Sequence, residues 1–351
     1  MAEAAIRPPL GCRRFLLADR PSACRLNRVM RALRFEQTGS LDGLRIRDIP
    51  VPAPAEGEVL VQVKAAAINP SDVKNVMGKM HGTTVPRTPG RDFAGIVVGG
   101  PKGLLGKSVF GSGGDLGFGR DGSHAEFLAV PESAVVPLPR NVSLEQAAGI
   151  GVAYITAWSA LVNSARVQNG ETVLITGTAG GVGSIAAYIA RLSGARVLGT
   201  VRSTVDLAKV GNLPVDAWID LQTTELADGV RAATAGKGVN VAFDVVGGAM
   251  FEQCLRALAW RGRQVVIASG PEPRVSLNLV DFYHNESRLL GVDSLKLSFE
   301  EAAGILRSLA PRIESGELPA PTVNAYPLDQ APGLYRGIAD STLKGKPVII
   351  P

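Results

Sequence analysis

A short segment near the middle of the chain is rich in glycine. Its glycines are Gly177, Gly180, Gly181 and Gly183. An apolar run, 173–175, precedes them and predicts a strand buried on both faces. Apolar residues then recur at helical spacing from Val182 to Leu192, and Gly194 closes the predicted helix. A turn without Cβ atoms can approach a pyrophosphate closely, and a helix amino end attracts anions. The segment predicts a dinucleotide site; an ordinary glycine-rich turn is the alternative.

The end of the next predicted strand bears on the choice of cofactor. An NAD site uses a carboxylate about 20 residues beyond the glycine turn to bind the ribose 2′-hydroxyl. Here the strand is followed by Arg202 and Ser203, and Arg202 could pair with a 2′-phosphate. Asp206 would repel that phosphate if it pointed inward. Alternatively, Arg202 is an ordinary solvated loop residue without a role in binding. We therefore expect NADP(H) as cofactor.

The second half of the chain alternates strands with helical patterns. Strands are predicted at 172–176, 196–201, 217–219, 241–245, 264–268 and 289–292. This alternation predicts an α/β fold with a doubly wound parallel sheet, a Rossmann domain, whose strand carboxyl ends share one edge. A ligand crevice is expected at that edge.

The first half has a different pattern. Short strands broken by glycine and proline are predicted at 32–35, 44–48, 59–67, 94–98, 108–111 and 125–130. They indicate a β-barrel domain, followed by a helix at 146–162. A helix at 299–308 and a strand at 347–350 are expected to return to this domain. We therefore predict one domain at 30–152 plus 297–351, with the Rossmann domain, 153–296, inserted in it.

The net charge of +5 is concentrated at the amino terminus. Residues 1–29 hold six arginines and two acidic residues, a local charge of +4, which leaves +1 for the rest of the chain. A nucleic-acid partner is therefore not expected. No apolar run reaches the roughly 18 residues of a membrane span, so no membrane partner is expected either.

The first 29 residues have three interpretations. Met30 directly precedes the first predicted strand, so the extension is either a start-site artefact or a disordered tail. Its arginine-rich, acid-poor composition also fits an organellar targeting segment. The three cysteines, Cys12, Cys24 and Cys254, form no disulfide framework or metal-binding pair. A cytoplasmic location is the main expectation.

Several segments share a familiar order. They are GEVLVQVKAAAINPSDVKNVMG at 57–78, PGRDFAGIV at 89–97, DGSHAEFLAVP at 121–131, AYITAWSAL at 153–161, AGGVG at 179–183, FDVVGG at 243–248 and GRQVVIASG at 262–270. This order resembles the zinc-independent quinone oxidoreductase branch of the medium-chain dehydrogenase/reductase superfamily, over about residues 31–351. The resemblance implies a Rossmann domain inserted in a GroES-like β-barrel catalytic domain, and homodimers formed partly by edge pairing of the Rossmann sheets.

The resemblance also implies roles for individual residues. Asn69, the one candidate catalytic residue, would lie beside the nicotinamide, and Thr156 near the adjoining phosphate or ribose. Ser203 would lie near the 2′-phosphate. The remaining cofactor-binding candidates are Thr178, Ala179, Gly180, Gly181 and Val182 at the pyrophosphate, Val246 and Gly247 at the crevice border, and Ala268, Ser269 and Gly270 beside the nicotinamide.

Zinc chemistry is not expected. Catalytic zinc needs about three Cys, His or carboxylate ligands, and this chain has Arg91 and Asp92 where zinc-binding relatives have a His-Glu pair. His124 and Asp92 are each candidates for the active-site cleft or for buried hydrogen bonding. Many relatives have a tyrosine where this chain has Met80, so no proton donor is evident.

Without a metal or an evident acid, hydride delivery to an electron-poor alkene or quinone asks least of the protein. We therefore expect an NADPH-dependent enzyme that reduces small quinones or α,β-unsaturated carbonyls. The alternatives are an enoyl-thioester reductase, a cofactor-binding protein of the same fold without significant turnover, and metal-free oxidation of an alcohol or sugar.

Overall fold

The computed structural model describes residues 28–203, 207–210, 212–270 and 273–351. Residues 1–27 of the predicted extension and Asp206 therefore lie outside the described residues. The strands are β1 (Val29–Arg34), β2 (Arg45–Pro50), β3 (Glu58–Ala67), β4 (Phe93–Gly99), β5 (Ser108–Gly111), β6 (Phe127–Pro131), β7 (Val136–Pro137), β8 (Thr172–Ile175), β9 (Arg196–Val201), β10 (Ala217–Asp220), β11 (Val239–Asp244), β12 (Leu258–Val266), β13 (Arg288–Gly291), β14 (Asn324–Pro327) and β15 (Pro347–Ile350). The α-helices are α1 (Pro70–Val76), α2 (Leu144–Trp158), α3 (Gly181–Leu192), α4 (Leu207–Val210), α5 (Leu226–Ala233), α6 (Met250–Arg256), α7 (Leu279–His284), α8 (Phe299–Glu314) and α9 (Ala331–Ala339).

The parallel sheet of the second half confirms the predicted α/β fold. Its strand order is β10-β9-β8-β11-β12-β13, and every neighbouring pair is parallel. This is the strand order of a Rossmann sheet: the chain adds strands outward from β8 to β10 on one side and then from β11 to β13 on the other. The six strands correspond to the six predicted ones, and the central strands are buried because helices cover both faces.

The first half forms a mainly antiparallel sheet of order β14-β15-β3-β4-β5-β7, with β6 also paired to β3. β1 and β2 pair separately, and Leu33 N–H joins them to the sheet region by donating to the His124 carbonyl at 2.9 Å. Inward-facing residues alternate along β3, with Val59, Val61 and Val63 buried. Period-two burial of this kind is typical of a strand that covers a core on one face.

The carboxyl-terminal segment returns to the first domain, as predicted. β15 pairs antiparallel with β3, with Val348 opposite Ala67, and β14 pairs parallel with β15. The predicted helix at 299–308 extends to Glu314 and begins with a capping box between Ser298 and Glu301. The sequence interpretation missed β14 and α9. Their apolar patterns are too short to be recognised without the barrel against which they pack.

A kink in α2 allows it to approach the barrel closely. Ser143 and Gln146 cap the amino end of the helix reciprocally. Inside the helix, Gly151 has non-helical dihedral angles, φ −11° and ψ −106°. A Cβ at Gly151 would lie 2.0 Å from Asp92 Oδ1, far inside van der Waals contact. Glycine at this position therefore allows α2 to pack against a buried carboxylate.

Gly151→Ala should destabilise the protein by about 2 kcal/mol or more, because a methyl group in this contact forces the helix and barrel apart. Urea denaturation would measure the loss. Gly304→Ala in α8 is the matched control, since a Cβ there meets nothing within 4 Å and alanine is favoured in helices by about 1 kcal/mol. Equal effects of the two substitutions would contradict this account of the kink.

Candidate functional site

The glycine turn forms an open cradle at the amino end of α3. Gly177 has φ +58°, in the region that favours glycine, and a Cβ at Gly183 would lie 2.3 Å from the Gly177 carbonyl oxygen. Gly180 is the N-cap and offers no side chain, while a Cβ at Gly181 would meet nothing within 4 Å. The first-turn N–H groups of a helix have no partner within the helix. The turn is therefore shaped to bind an anion such as a pyrophosphate.

Hydrogen bonds to β9 hold this turn in place. Thr178 Oγ1 donates to the Ile175 carbonyl at 2.7 Å and accepts from Thr200 N–H at 2.9 Å. Gly177 N–H donates to Thr200 Oγ1 at 3.1 Å. The Thr178 side chain is fully buried, so its hydroxyl fixes the turn, while Ala179, Gly180 and Gly181 form its exposed surface.

A second buried side chain organises the loop after β11. Asp244 Oδ1 accepts hydrogen bonds from Thr176 Oγ1 at 2.9 Å, Val246 N–H at 3.1 Å and Gly247 N–H at 2.9 Å. A Cβ at Gly247 would lie 2.3 Å from the Ala268 carbonyl oxygen, so the loops after β11 and β12 touch. Sequence reasoning missed Asp244, although an aspartate that ends a strand before two glycines could have indicated it.

The predicted cofactor-binding residues meet at one edge of the sheet. The parallel registers place Ile175 beside Phe243, and Asp244 beside Val266, so consecutive strands end together. The loops that follow carry the glycine turn, Val246 and Gly247, and residues 268–270. Val246 and Ser269 are exposed there, and Ala268 and Gly270 are partly buried. Arg202 is exposed beyond β9, and Ser203 is partly buried.

Arg91 of the barrel and Thr156 of α2 both contact Ser294, in the segment after β13. Thr156 is buried, and its Oγ1 donates to Ser294 Oγ at 2.9 Å. Arg91 Nη2 donates to the Ser294 carbonyl at 3.2 Å, and its Nε is buried without a hydrogen-bond partner among the described residues. Ser294 lies three residues beyond β13, so Thr156 and Arg91 mark where the two domains meet.

Four distant segments contribute to the surroundings of the Asp92 carboxylate, three through hydrogen bonds and one through an ion pair. Its Oδ1 accepts from Ser112 Oγ at 2.6 Å and Val152 N–H at 2.9 Å, and its Oδ2 accepts from Asn69 Nδ2 at 2.9 Å. Lys346 Nζ lies 3.8 Å from Oδ2 and donates to Asn69 Oδ1. Asp92 is completely buried, and burial of a carboxylate requires this kind of compensation. We refer to Asn69, Asp92 and Lys346 as the polar triad.

Sequence reasoning missed Lys346. The only local signal is a lysine between a glycine and the terminal apolar strand, which also describes an ordinary surface lysine. Burial lowers the pKa of Lys346, while the nearby Asp92 and Asp72 carboxyl groups oppose that shift. The side chain remains 19% exposed, so the ammonium group is only partly withdrawn from solvent.

A second carboxyl group lies close to the triad. Asp72 Oδ2 accepts from Asn69 N–H at 2.7 Å, whereas its Oδ1 is buried without a hydrogen-bond partner among the described residues. Burial raises the pKa of Asp72 to about 7; the Asn69 N–H bond lowers it and the charge of Asp92 raises it further. Asp72 therefore changes protonation near neutral pH.

His124 is held inside the barrel as a neutral group. Its Nε2 lies 3.2 Å from the Ala67 carbonyl and its Nδ1 lies 3.0 Å from the Tyr335 hydroxyl. A carbonyl oxygen can only accept, so Nε2 carries the proton and Nδ1 accepts from Tyr335. Burial lowers the pKa of His124 to about 4. Of its two predicted alternatives, the structure shows the buried hydrogen-bonding one.

The described residues contain no group of three His, Cys, Asp or Glu side chains able to hold a metal ion. Cys254 is buried in the parallel-sheet half, where burial and the charge of Asp244 raise its pKa. No helix in the described part of the chain has the length and apolar character to cross a membrane.

Known proteins share both halves of this architecture. Residues 55–140 match the family model described as "Alcohol dehydrogenase GroES-like domain", and residues 181–309 match "Zinc-binding dehydrogenase". The rat quinone oxidoreductase is 31% identical over 332 residues, which cover 92% of this chain and 98% of the relative. A zinc-type alcohol dehydrogenase-like protein of Schizosaccharomyces pombe is 34% identical over 294 residues, covering 83% and 86%.

Solved structures agree. A quinone oxidoreductase of Pseudomonas syringae pv. Tomato is 26% identical with a TM-score of 0.82, covering 92% of this chain and all of that one. The protein AibC is 26% identical with a TM-score of 0.85, covering 95% and 99%. The chain belongs to the zinc-independent quinone oxidoreductase branch of the medium-chain dehydrogenase/reductase superfamily.

The chain is therefore an oxidoreductase of this superfamily, whose members bind nicotinamide cofactors. The uncapped amino end of α3 and the glycines at the sheet edge fit the pyrophosphate of such a cofactor. At the place of the His-Glu zinc pair, Arg91 and Asp92 form an arginine contact to Ser294 and a hydrogen-bonded carboxylate. Arginine has no acceptor atom to offer a metal, and both oxygens of Asp92 accept hydrogen bonds.

Asp72→Asn should make the protein progressively more stable than the wild type as pH rises from 4 to 7. The folded state holds the Asp72 proton up to pH about 7, whereas an unfolded aspartate releases it near pH 4. The wild type therefore loses unfolding free energy across this window, by about 1.4 kcal/mol for each pKa unit. Asparagine keeps an acceptor for Asn69 N–H and removes the titration.

Urea denaturation at a series of pH values would measure this difference. Asp340→Asn, at an exposed carboxyl group that follows α9, is the control and should leave the pH dependence unchanged. A constant difference between wild type and Asp72→Asn from pH 4 to 7 would show that Asp72 does not retain its proton.

Proposed function

We propose that the protein reduces quinones or α,β-unsaturated carbonyl compounds with NADPH, by hydride transfer without a metal. The open, uncapped amino end of α3 at the carboxyl edge of the parallel sheet carries this proposal. Two relatives described above are named quinone oxidoreductases. The donor set at the domain junction consists of Lys346, Arg91 and amide groups, which suits an oxygen that gains negative charge.

Each part of the cofactor would have its own binding residues. The first-turn N–H groups of α3 would hold the pyrophosphate, with Ala179 and Gly180 bordering it. Exposed Arg202 would pair with the 2′-phosphate. The bound nicotinamide supplies the hydride; the chain binds and orients cofactor and substrate and stabilises charge on the substrate.

The purified protein should oxidise NADPH in the presence of quinones or enones. The measurement is the loss of reduced-nicotinamide absorbance across a panel of both classes, with enoyl thioesters as a separate arm. Turnover confined to enoyl thioesters would favour the related enoyl-thioester reductase activity. NADPH binding without turnover on any compound would identify a cofactor-binding protein and overturn the proposal.

Arg202→Ala tests the phosphate assignment within the same experiment. Loss of one exposed charge-assisted contact should weaken NADPH binding about tenfold, equivalent to about 1.4 kcal/mol, and leave NADH binding unchanged. Fluorescence titration of both cofactors measures this. Arg140→Ala, at another exposed arginine, should change neither affinity. Tighter binding of NADH than of NADPH by the wild type would contradict the cofactor assignment.

We also propose that the chain forms a homodimer through β13. Within the described residues β13 pairs with β12 alone, and its other edge is open. Large apolar side chains are exposed nearby: Trp260, Leu279, Val280, Tyr283 and Leu289. An open strand beside exposed apolar residues favours pairing with a second copy. A two-fold axis at this edge would give a closed dimer.

The double variant Leu279→Asp and Tyr283→Asp should be monomeric where the wild type is dimeric, because each carboxylate would be buried in the interface. Sedimentation velocity measures both states. Leu105→Asp introduces one such carboxylate at an exposed leucine of the barrel domain and should remain dimeric. A wild type that sediments as a monomer at micromolar concentration would overturn the assembly.

A further inference from the structure

Lys346 reaches the domain junction because of strand pairing at the end of the chain. It directly precedes β15, whose Val348 pairs with Ala67 at the end of β3. β3 leads into Asn69, so the same pairing brings Lys346 and Asn69 together although they are 277 residues apart. The lysine is thus held by the sheet and not by a flexible loop.

Within the polar triad, Lys346 is the exposed member. The Asn69 amide is engaged at both ends, since Oδ1 accepts from Lys346 and Nδ2 donates to Asp92. Asn69 is only 3% exposed. The lysine ammonium has three N–H donors, and its side chain is 19% exposed. Lys346 can therefore donate a hydrogen bond to a small molecule without breaking its existing contacts, whereas Asn69 cannot.

The triad also lies close to Thr156, one of the candidate cofactor-binding residues. Val152 N–H of α2 donates to Asp92, and Thr156, one helical turn later, bonds Ser294 beyond β13. One turn advances about 5.4 Å along a helix. The triad is therefore about one helical turn from Thr156 and from the segment that follows β13.

Burial and the neighbouring charges act in opposite directions on the pKa of Lys346. Asp92 and Asp72 favour the ammonium, and burial disfavours it, so its pKa is lowered. His124 faces the same region as a neutral group. Arg91 directly precedes Asp92 in the chain, and its guanidinium group donates to the Ser294 carbonyl. The carboxyl groups oppose loss of the proton, while burial makes it easier to transfer.

We propose that Lys346 is the catalytic acid of this site and that Asn69 is the residue that positions it. This assignment rests on the proposed function. Lys346 Nζ donates a hydrogen bond to the carbonyl oxygen of a quinone or enone. As hydride forms a new bond to the substrate, the displaced electron pair moves to that oxygen. A proton passes from Nζ to the oxygen, which gives the hydroquinone or, from an enone, an enol that tautomerises to the saturated carbonyl compound. A proton from solvent restores the ammonium group.

Lys346→Met should lower kcat for quinone or enone reduction by about 10²- to 10⁴-fold, the range for loss of a general acid. The dissociation constant for NADPH should remain unchanged. Lys346→Arg keeps a charged donor but cannot release a proton at accessible pH, so it should remain slow. The fall of wild-type kcat at high pH, where the acid loses its proton, should be absent in this variant.

Binding of 4-nitrophenolate supplies a second measurement that does not need turnover. This phenolate resembles a reduced quinone anion, and its visible absorbance reports binding. The wild type and Lys346→Arg should bind it with similar affinity, whereas Lys346→Met should bind at least about tenfold more weakly because the cation is gone. Lys344→Met, at an exposed lysine two residues earlier, is the control and should behave as the wild type in every assay.

The two proposals can fail separately. A wild type that reduces no quinone or enone overturns the proposed function, and loss of phenolate binding in Lys346→Met would still support Lys346 as the oxyanion-binding group. Wild-type kcat and phenolate binding in a folded Lys346→Met variant would overturn the assignment. Activity restored to the wild-type level in Lys346→Arg would overturn proton transfer by the lysine.

Discussion

The buried carboxylate of Asp92 is the constraint on which both the fold and the site depend. A charge removed from water must be compensated by hydrogen bonds and by an opposite charge. Its partners, Asn69, Ser112, Val152 and Lys346, come from the end of β3, the end of β5, α2 and the start of β15. The bonds to this one carboxylate therefore connect the barrel, the helix that leads into the second domain and the carboxyl-terminal segment.

Asp244 has a similar role in the parallel sheet. It is buried at the end of β11 and collects a hydroxyl and two backbone N–H groups. Those bonds shape the loop that faces the glycine turn. The two aspartates thus organise the two sides of the domain junction: Asp92 binds groups of the barrel and α2, and Asp244 binds the loop at the carboxyl edge of the parallel sheet. This arrangement leaves an anion-binding turn on one side and an ammonium group on the other.

The parallel sheet, the glycine turn and the return of the terminal strand to the barrel were predictable from sequence. Buried parallel strands and amphipathic helices have strong periods, and the turn between β8 and α3 is defined by neighbours within a few residues. Boundaries were less accurate: β12 begins at Leu258, six residues before the predicted 264. Its first residues include exposed Trp260 and Arg261, so their apolar pattern is broken. Short β14 is defined only by pairing with β15.

The sequence by itself determined the order of the elements and the anion-binding turn, because both depend on local spacing and backbone freedom. Only the tertiary structure decided which polar side chains share an environment. His124 proved to be an internal hydrogen-bonding group once Ala67 and Tyr335 were in place. Lys346 joined the polar triad through a contact across 277 residues. The residue type of a lysine does not indicate which groups it will contact. Those contacts arise only when the folded sheet buries the lysine beside carboxyl groups.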